Sequence, residues 1–154
     1  MSLSFISEYF SDDHDRMDEI WTRFNQSTCP QQRLSLFNQF SSQLKQHIQW
    51  EEELLFPIFD VKMNFFDSGP TFVMREEHRK IIDLLTLIEN KLLEDENGYV
   101  EQQQLSSLLH QHNMKEEHVL YPALDQLLDN EELEALSAQI GDSAHPLNVR
   151  EGVS

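Results

Sequence analysis

The chain has 154 residues, with 28 Asp and Glu against 11 Lys and Arg and a formal charge of −17. That balance opposes nucleic acid and anionic membrane as partners, since both recruit basic patches. Only 4 Gly and 5 Pro occur, so long helices are favoured over a turn-rich β architecture, and the length suits a single domain over 1–154. A single cysteine, Cys29, excludes an internal disulfide and a thiolate zinc site. No basic segment leads into an apolar run, and no run approaches membrane-spanning length, so a soluble cytoplasmic setting is expected.

Residues 3 to 10 form an apolar lead-in (Leu3, Phe5, Ile6, Tyr9, Phe10) of one or two helical turns. Ser11 or Asp12 is then placed to cap a first long helix, with His14, Met17, Trp21 and Phe24 on one stripe. Pro30 favours the first turn of a second helix, whose inward stripe is Phe37, Phe40, Leu44, His47, Glu51 and Leu54. Pro57 should kink or end it, and Asp67-Ser68-Gly69-Pro70 marks a turn. A third helix is predicted from about Thr71 to Glu94, with Met74, His78, Ile81, Ile82, Leu85, Ile88 and Leu92 inside. After the Asn97-Gly98 turn, a fourth from about Val100 to Leu128 aligns Leu105, Leu108, Leu109, His112, Glu116 and Val119, with Pro122 a second kink. The predicted fold is all-α, an antiparallel up-down-up-down four-helix bundle with its core at about 11–128. A short helix at about 130–140 and a loose tail over 141–154 complete it.

Two segments of this plan repeat each other. His47-Ile-Gln-Trp-Glu51-Glu52 is followed by Leu54-Leu55-Phe56-Pro57, and His112-Asn-Met-Lys-Glu116-Glu117 by Val119-Leu120-Tyr121-Pro122. On a helix the i, i+4 spacing sets imidazole and carboxylate on one face, one turn apart, where both reach a single point. Upstream of each lies an acid-His-x-base-apolar string, Asp13-His14-Asp15-Arg16-Met17 and Glu77-His78-Arg79-Lys80-Ile81. The order His, then His-x-x-x-Glu, therefore occurs twice, as in two helical hairpins related by a pseudo-twofold and sharing one site.

The four stripes bring His14, His47, Glu51, His78, His112 and Glu116 to similar depth, where buried unpaired groups of this kind need a compensating charge. Two Glu and four His exceed the three or four ligands of a single tetrahedral zinc. Two ions bridged by both carboxylates use them all, each ion having two imidazoles, two carboxylate oxygens, an oxo or hydroxo bridge from solvent and one open position. Mixed imidazole and carboxylate ligation suits iron, with manganese or zinc as possible substitutes.

At these residues, from roughly His14 to Pro122, the chain resembles the hemerythrin-like, or HHE cation-binding, family of four-helix bundles with a non-haem di-iron centre. The resemblance implies His14, His47, His78 and His112 as terminal ligands and Glu51 and Glu116 as bridging carboxylates. Oxygen-carrying hemerythrins have a His-x-x-x-His pair on the third helix, whereas here position 82 is Ile and position 74 is Met. They also end the fourth-helix motif with Asp at a longer spacing. The chain is therefore similar to the four-His, two-Glu branch, with iron-centre repair proteins and the hemerythrin-like domain of F-box iron sensors.

The function expected is binding of, or reaction with, a small diatomic or peroxide ligand (oxygen, nitric oxide or peroxide) in sensing or stress defence. Iron handling or iron-centre repair is the alternative, and a non-catalytic helical interaction module a third. No nucleic-acid or membrane partner is expected, and the sequence names no protein partner. Among the remaining residues, His110 and His118 project away from His112 and should miss the site. His145 is expected in solvent, Glu52 and Glu117 as exposed acids able to orient a ligand, Tyr121 and Phe56 as packing, Trp21 and Trp50 as core or rim, and Cys29 as an incidental thiol.

Overall fold

The computed structural model describes the backbone of residues 5–152 and the side chains of residues 5–141. Every regular element in it is helical: α1 Phe5–Gln26, α2 Pro30–Trp50, α3 Phe56–Met63, α4 Pro70–Leu93, α5 Tyr99–Lys115, α6 Tyr121–Leu127 and α7 Asn130–Gly152. Two single π turns, Glu51–Leu55 and Glu116–Leu120, join α2 to α3 and α5 to α6. No described helix is long and apolar enough to cross a membrane.

α1 is one helix, with no break at Ser11 or Asp12. Ile6 and Phe10 continue the same buried stripe as His14, Met17, Trp21 and Phe24, so the lead-in has the helix's own period. Its start is satisfied from a distance: the buried Asp125 carboxylate of α6 accepts from the backbone N–H groups of Ile6 at 2.8 Å and Ser7 at 3.0 Å. Leu3 lies outside the described residues.

The prolines do not end the helical runs that carry the site, because a π turn precedes each one. In these turns the Phe56 N–H bonds the Glu51 carbonyl and the Tyr121 N–H the Glu116 carbonyl, five residues back. Pro57 and Pro122 then sit in the first turn of the resumed α-helices, where a missing N–H and the ring cost little. The extra residue rotates the resumed helix by about 100° relative to an unbroken α-helix. Leu54 is therefore only half-buried and Val119 is exposed, while Leu55 and Leu120 take the inward positions.

α1 packs on α2, α2 on α4, α4 on α5, and α1 on α6. Buried apolar residues form two clusters. One holds Ile6, Phe10, Leu55, Phe56, Met74, Leu120 and Tyr121, closed off by Leu133, Leu136 and Ile140 of α7. The other holds Met17, Phe24, Phe37, Leu44, Ile81, Leu85 and Leu105. On α1, α2, α4 and the run from α5 into α6, the boundary between them falls close to a histidine. α7 runs on to Gly152, past the expected end near Ile140. Gly141 lacks the positive φ of a terminating glycine, whereas α3 ends on Asn64 in the left-handed conformation, and Gly69 and Gly98, both at positive φ, stand before α4 and α5. The side chains of the expected tail, His145 among them, lie outside the described residues.

Candidate metal centre

Each of the six residues singled out by the repeat is buried, none more than 3% exposed. His14 comes from α1, His47 from α2, His78 from α4 and His112 from α5, while Glu51 and Glu116 open the two π turns. They form two four-donor groups, His14-His47-Glu51-Glu116 and Glu51-His78-His112-Glu116, with the donor atoms of each within 4.8 Å of one another. Both carboxylates belong to both groups.

The sharing is by opposite oxygens. Glu51 Oε2 lies 3.2 Å from His47 Nε2, and Glu51 Oε1 lies 3.0 Å from His78 Nε2. Glu116 Oε1 lies 3.3 Å from His14 Nε2, and Glu116 Oε2 lies 3.0 Å from His112 Nε2. Each half therefore presents two imidazole nitrogens and one oxygen from each carboxylate.

All four imidazoles use their other nitrogen in the same way. Each Nδ1 stands 2.7 Å from a carboxylate oxygen: His47 from Asp13, His78 from Glu52, His112 from Glu77 and His14 from Glu117. A carboxylate that accepts the Nδ1 proton fixes the ring and leaves Nε2 free as a ligand. Glu52 and Glu117, expected as exposed acids, thus serve the orienting role, joined by Asp13 and Glu77. The sequence carried a signal for this, since each of these acids adjoins one of the six in the duplicated strings. Arg16 pairs with Asp13 at 2.9 Å and Lys115 with Glu77, so two of the four orienting acids are themselves held.

Hydrogen-bond satisfaction tests whether a cation fits here. Four buried side-chain polar atoms lack a hydrogen-bond partner among the described residues, and three are Glu51 Oε1, His78 Nε2 and Glu116 Oε2. His78 Nε2 and Glu51 Oε1 lie 3.0 Å apart without bonding, as two ligand atoms directed at a common point rather than at each other. Orphaned buried groups of this kind are costly unless a cation completes them. The donor set fits a transition metal.

The electrostatics agree. Burial disfavours a charged imidazole, yet the Glu51 carboxylate, with Asp13, brings His47 up to about 10. Against the same effect, the neighbouring Glu51 and Glu52 carboxylates bring His78 up to about 9, and Glu116 raises His112. Burial would raise Glu51, but His47 and then His78 hold its carboxyl well below the usual range. Imidazoles raised in this way beside buried carboxylates mark a pocket that calls for positive charge.

Tyr121, expected as packing, brings its hydroxyl into the site. It donates to Glu51 Oε2 at 2.5 Å, and Glu116 Oε1 lies 2.9 Å from the same oxygen. Burial, then the charges of Glu116 and Glu51, raise its pKa well above that of an ordinary phenol, so the proton is retained. Phe56, its counterpart in the other repeat, packs as expected and stacks on His78 with centroids 5.6 Å apart. His110 and His118 are exposed and belong to neither donor group. Trp21 and Trp50 are core residues, and Cys29 is exposed just ahead of α2. A cleft of about 290 Å³ between α1 and α5 reaches His14 and Glu117, lined also by Asp15, Asp18, Trp21 and Asn113.

The model of the hemerythrin HHE cation binding domain matches residues 6–141. The chain belongs to this family. A DNA nickase from Nostoc sp. (strain PCC 7120 / SAG 25.82 / UTEX 2576) is 24% identical to this HHE domain over 147 residues, which are 96% of the chain and 41% of that protein. The chain thus spans about two fifths of the length of its curated relative. No solved structure matches it.

Proposed function

We propose that this HHE domain is a non-haem di-iron protein that binds or reacts with oxygen, nitric oxide or peroxide, in sensing or in defence against oxidative or nitrosative stress. The observation that carries the reading is the pair of four-donor groups joined through opposite oxygens of Glu51 and Glu116. In it, His14 and His47 would hold one ion and His78 and His112 the other, with Glu51 and Glu116 serving both. Manganese or zinc could take the same places.

Bound iron would supply ligand coordination and one-electron chemistry. The chain's own residues do the rest. The four orienting acids fix the imidazoles, Leu55, Phe56 and Leu120 exclude water beside the carboxylates, and in the metal-free site Tyr121 keeps a proton at Glu51 Oε2. Ile82 and Met74 add no fifth imidazole, so each ion would keep an open position. The cleft at His14 gives a small ligand a way in.

The fold assigned with this reading is one antiparallel up-down-up-down four-helix bundle. Its support is the order of the two apolar clusters: the first precedes the histidine on α1 and α4, and comes after it on α2 and in the π turn and α6 that continue α5. A reducing cytoplasm, where ferrous ion is available, suits it. Nicking of DNA is not carried across from the relative. The match spans 41% of that protein, and a charge of −17 opposes a phosphate backbone.

Iron handling or donation to damaged centres is the second reading, favoured by the opening beside His14. Anaerobic loading of metal-free protein with ferrous iron, then metal analysis and absorption spectroscopy, tests both. Two iron per chain, with near-ultraviolet bands perturbed by nitric oxide or peroxide, supports the first. Ready transfer of the iron to an acceptor supports the second, and failure to retain iron refutes both.

A further inference from the structure

The two donor groups are alike in their six ligands and unlike in what lies among them. Tyr121 Oη is 2.5 Å from Glu51 Oε2, 2.9 Å from Glu116 Oε1, 3.2 Å from His47 Nε2 and 3.3 Å from His14 Nε2. It therefore touches every donor of the His14–His47 group. In the His78–His112 group the matching residue is Phe56, which has no hydroxyl, and there Glu51 Oε1, Glu116 Oε2 and His78 Nε2 are left without hydrogen bonds. One cage is filled by a phenol and the other is bare.

Resting on the metal-centre reading above, we infer that the two positions fill in a fixed order. The His78–His112 position takes the first ion, and the His14–His47 position takes the second only as the Tyr121 hydroxyl leaves its place between Glu51 and Glu116. An ion entering the bare cage breaks no hydrogen bond and satisfies three orphaned atoms. An ion entering the other must displace a hydroxyl bonded to charged acceptors, which separates the two affinities by about ten- to a hundredfold. The opposite order would break those bonds and leave the three atoms unpaired. A one-ion form is thus a populated state, and Tyr121 reports its conversion to the two-ion form.

Titration of the metal-free full chain with Co²⁺, followed by calorimetry and by tyrosine ultraviolet difference absorption, tests the order. Two steps separated by about ten- to a hundredfold are expected, with the tyrosine signal moving only during the second. Tyr121→Phe, which copies the Phe56 half, should merge the steps and abolish the signal. His14→Ala should keep the first step and lose the second, whereas His78→Ala should lose the tight first step. A single step in the native chain, a tyrosine change with the first equivalent, or two unchanged steps in Tyr121→Phe would overturn the order while leaving the metal centre intact. If Tyr121→Phe does not fold, as judged by circular dichroism, His14→Ala decides, and loss of its first step overturns the proposal. No binding of Co²⁺ or Fe²⁺ by the native chain would overturn the metal-centre reading and the order with it.

Discussion

Each of the four imidazoles is engaged at both nitrogens: Nε2 faces a shared carboxylate and Nδ1 an orienting acid. The orienting acids differ in setting. Asp13 is 5% exposed and Glu52 is 37% exposed, so water screens the second contact far more than the first. Asp13→Ala should weaken metal binding by about ten- to a hundredfold, and Glu52→Ala by less, in competition with a chelator. Glu51→Ala or Glu116→Ala should release both ions together, as read by metal analysis; retention of one fully bound ion in either variant means that the carboxylate is not shared. The clustering of these six donor residues was legible in the sequence because the repeat aligns them at helical spacing. The role of Tyr121 was not, because an aromatic residue after Glu116 satisfies the packing pattern whether or not it bears a hydroxyl. What distinguishes Tyr121 from Phe56 is one oxygen whose partners come from α1, α2 and the two π turns.

At the scale of elements, helix number and approximate bounds are set by periodicity and by the turns at Asp67-Ser68-Gly69-Pro70 and Asn97-Gly98. Two features lay beyond that signal. The π turns depend on how the chain accommodates Pro57 and Pro122 without abandoning the helix, and a fixed 3.6-residue period carried Leu54 and Val119 inward when Leu55 and Leu120 belong there. The start of α1 depends on Asp125, more than a hundred residues away, which no local capping rule can find. Asp125→Ala should strand two backbone N–H groups at the head of α1 and cost about 1–3 kcal/mol, measured as a lowered urea midpoint with unchanged slope.

At the scale of the whole molecule, the centre is a polar layer between two apolar clusters, so metal content and folding stability are linked. Metal at about a hundred times a site's dissociation constant should add about 2.7 kcal/mol for that site, and dialysis against a chelator should lower the melting temperature accordingly. pH should act on the metal-free form in a defined direction. His47 and His78 are raised from 6.5 to about 10 and about 9, so their protonated forms stabilise the fold fully below about 6.5. That contribution is lost as pH rises through about 9 to 10. Glu51, held below the usual carboxylate range, gives stability that is lost on acidification. Denaturation midpoints of metal-free protein should therefore fall between about pH 6.5 and pH 10, with a flatter profile for the loaded protein.

The exchange of carboxylates between the two halves bears on how such a chain can be built. Residues up to Met63 supply His14, His47 and Glu51, but the fourth donor of their cage is Glu116; residues from Pro70 supply His78, His112 and Glu116, but need Glu51. Two of the four orienting contacts cross in the same manner, Glu117 serving His14 and Glu52 serving His78. A single hairpin of this design is therefore three quarters of a binding site. Its shortest route to a complete one is to face a second hairpin of the same kind, so a gene encoding one half would specify a metal protein only as a symmetric pair, and fusing two copies would turn that association into an intramolecular one.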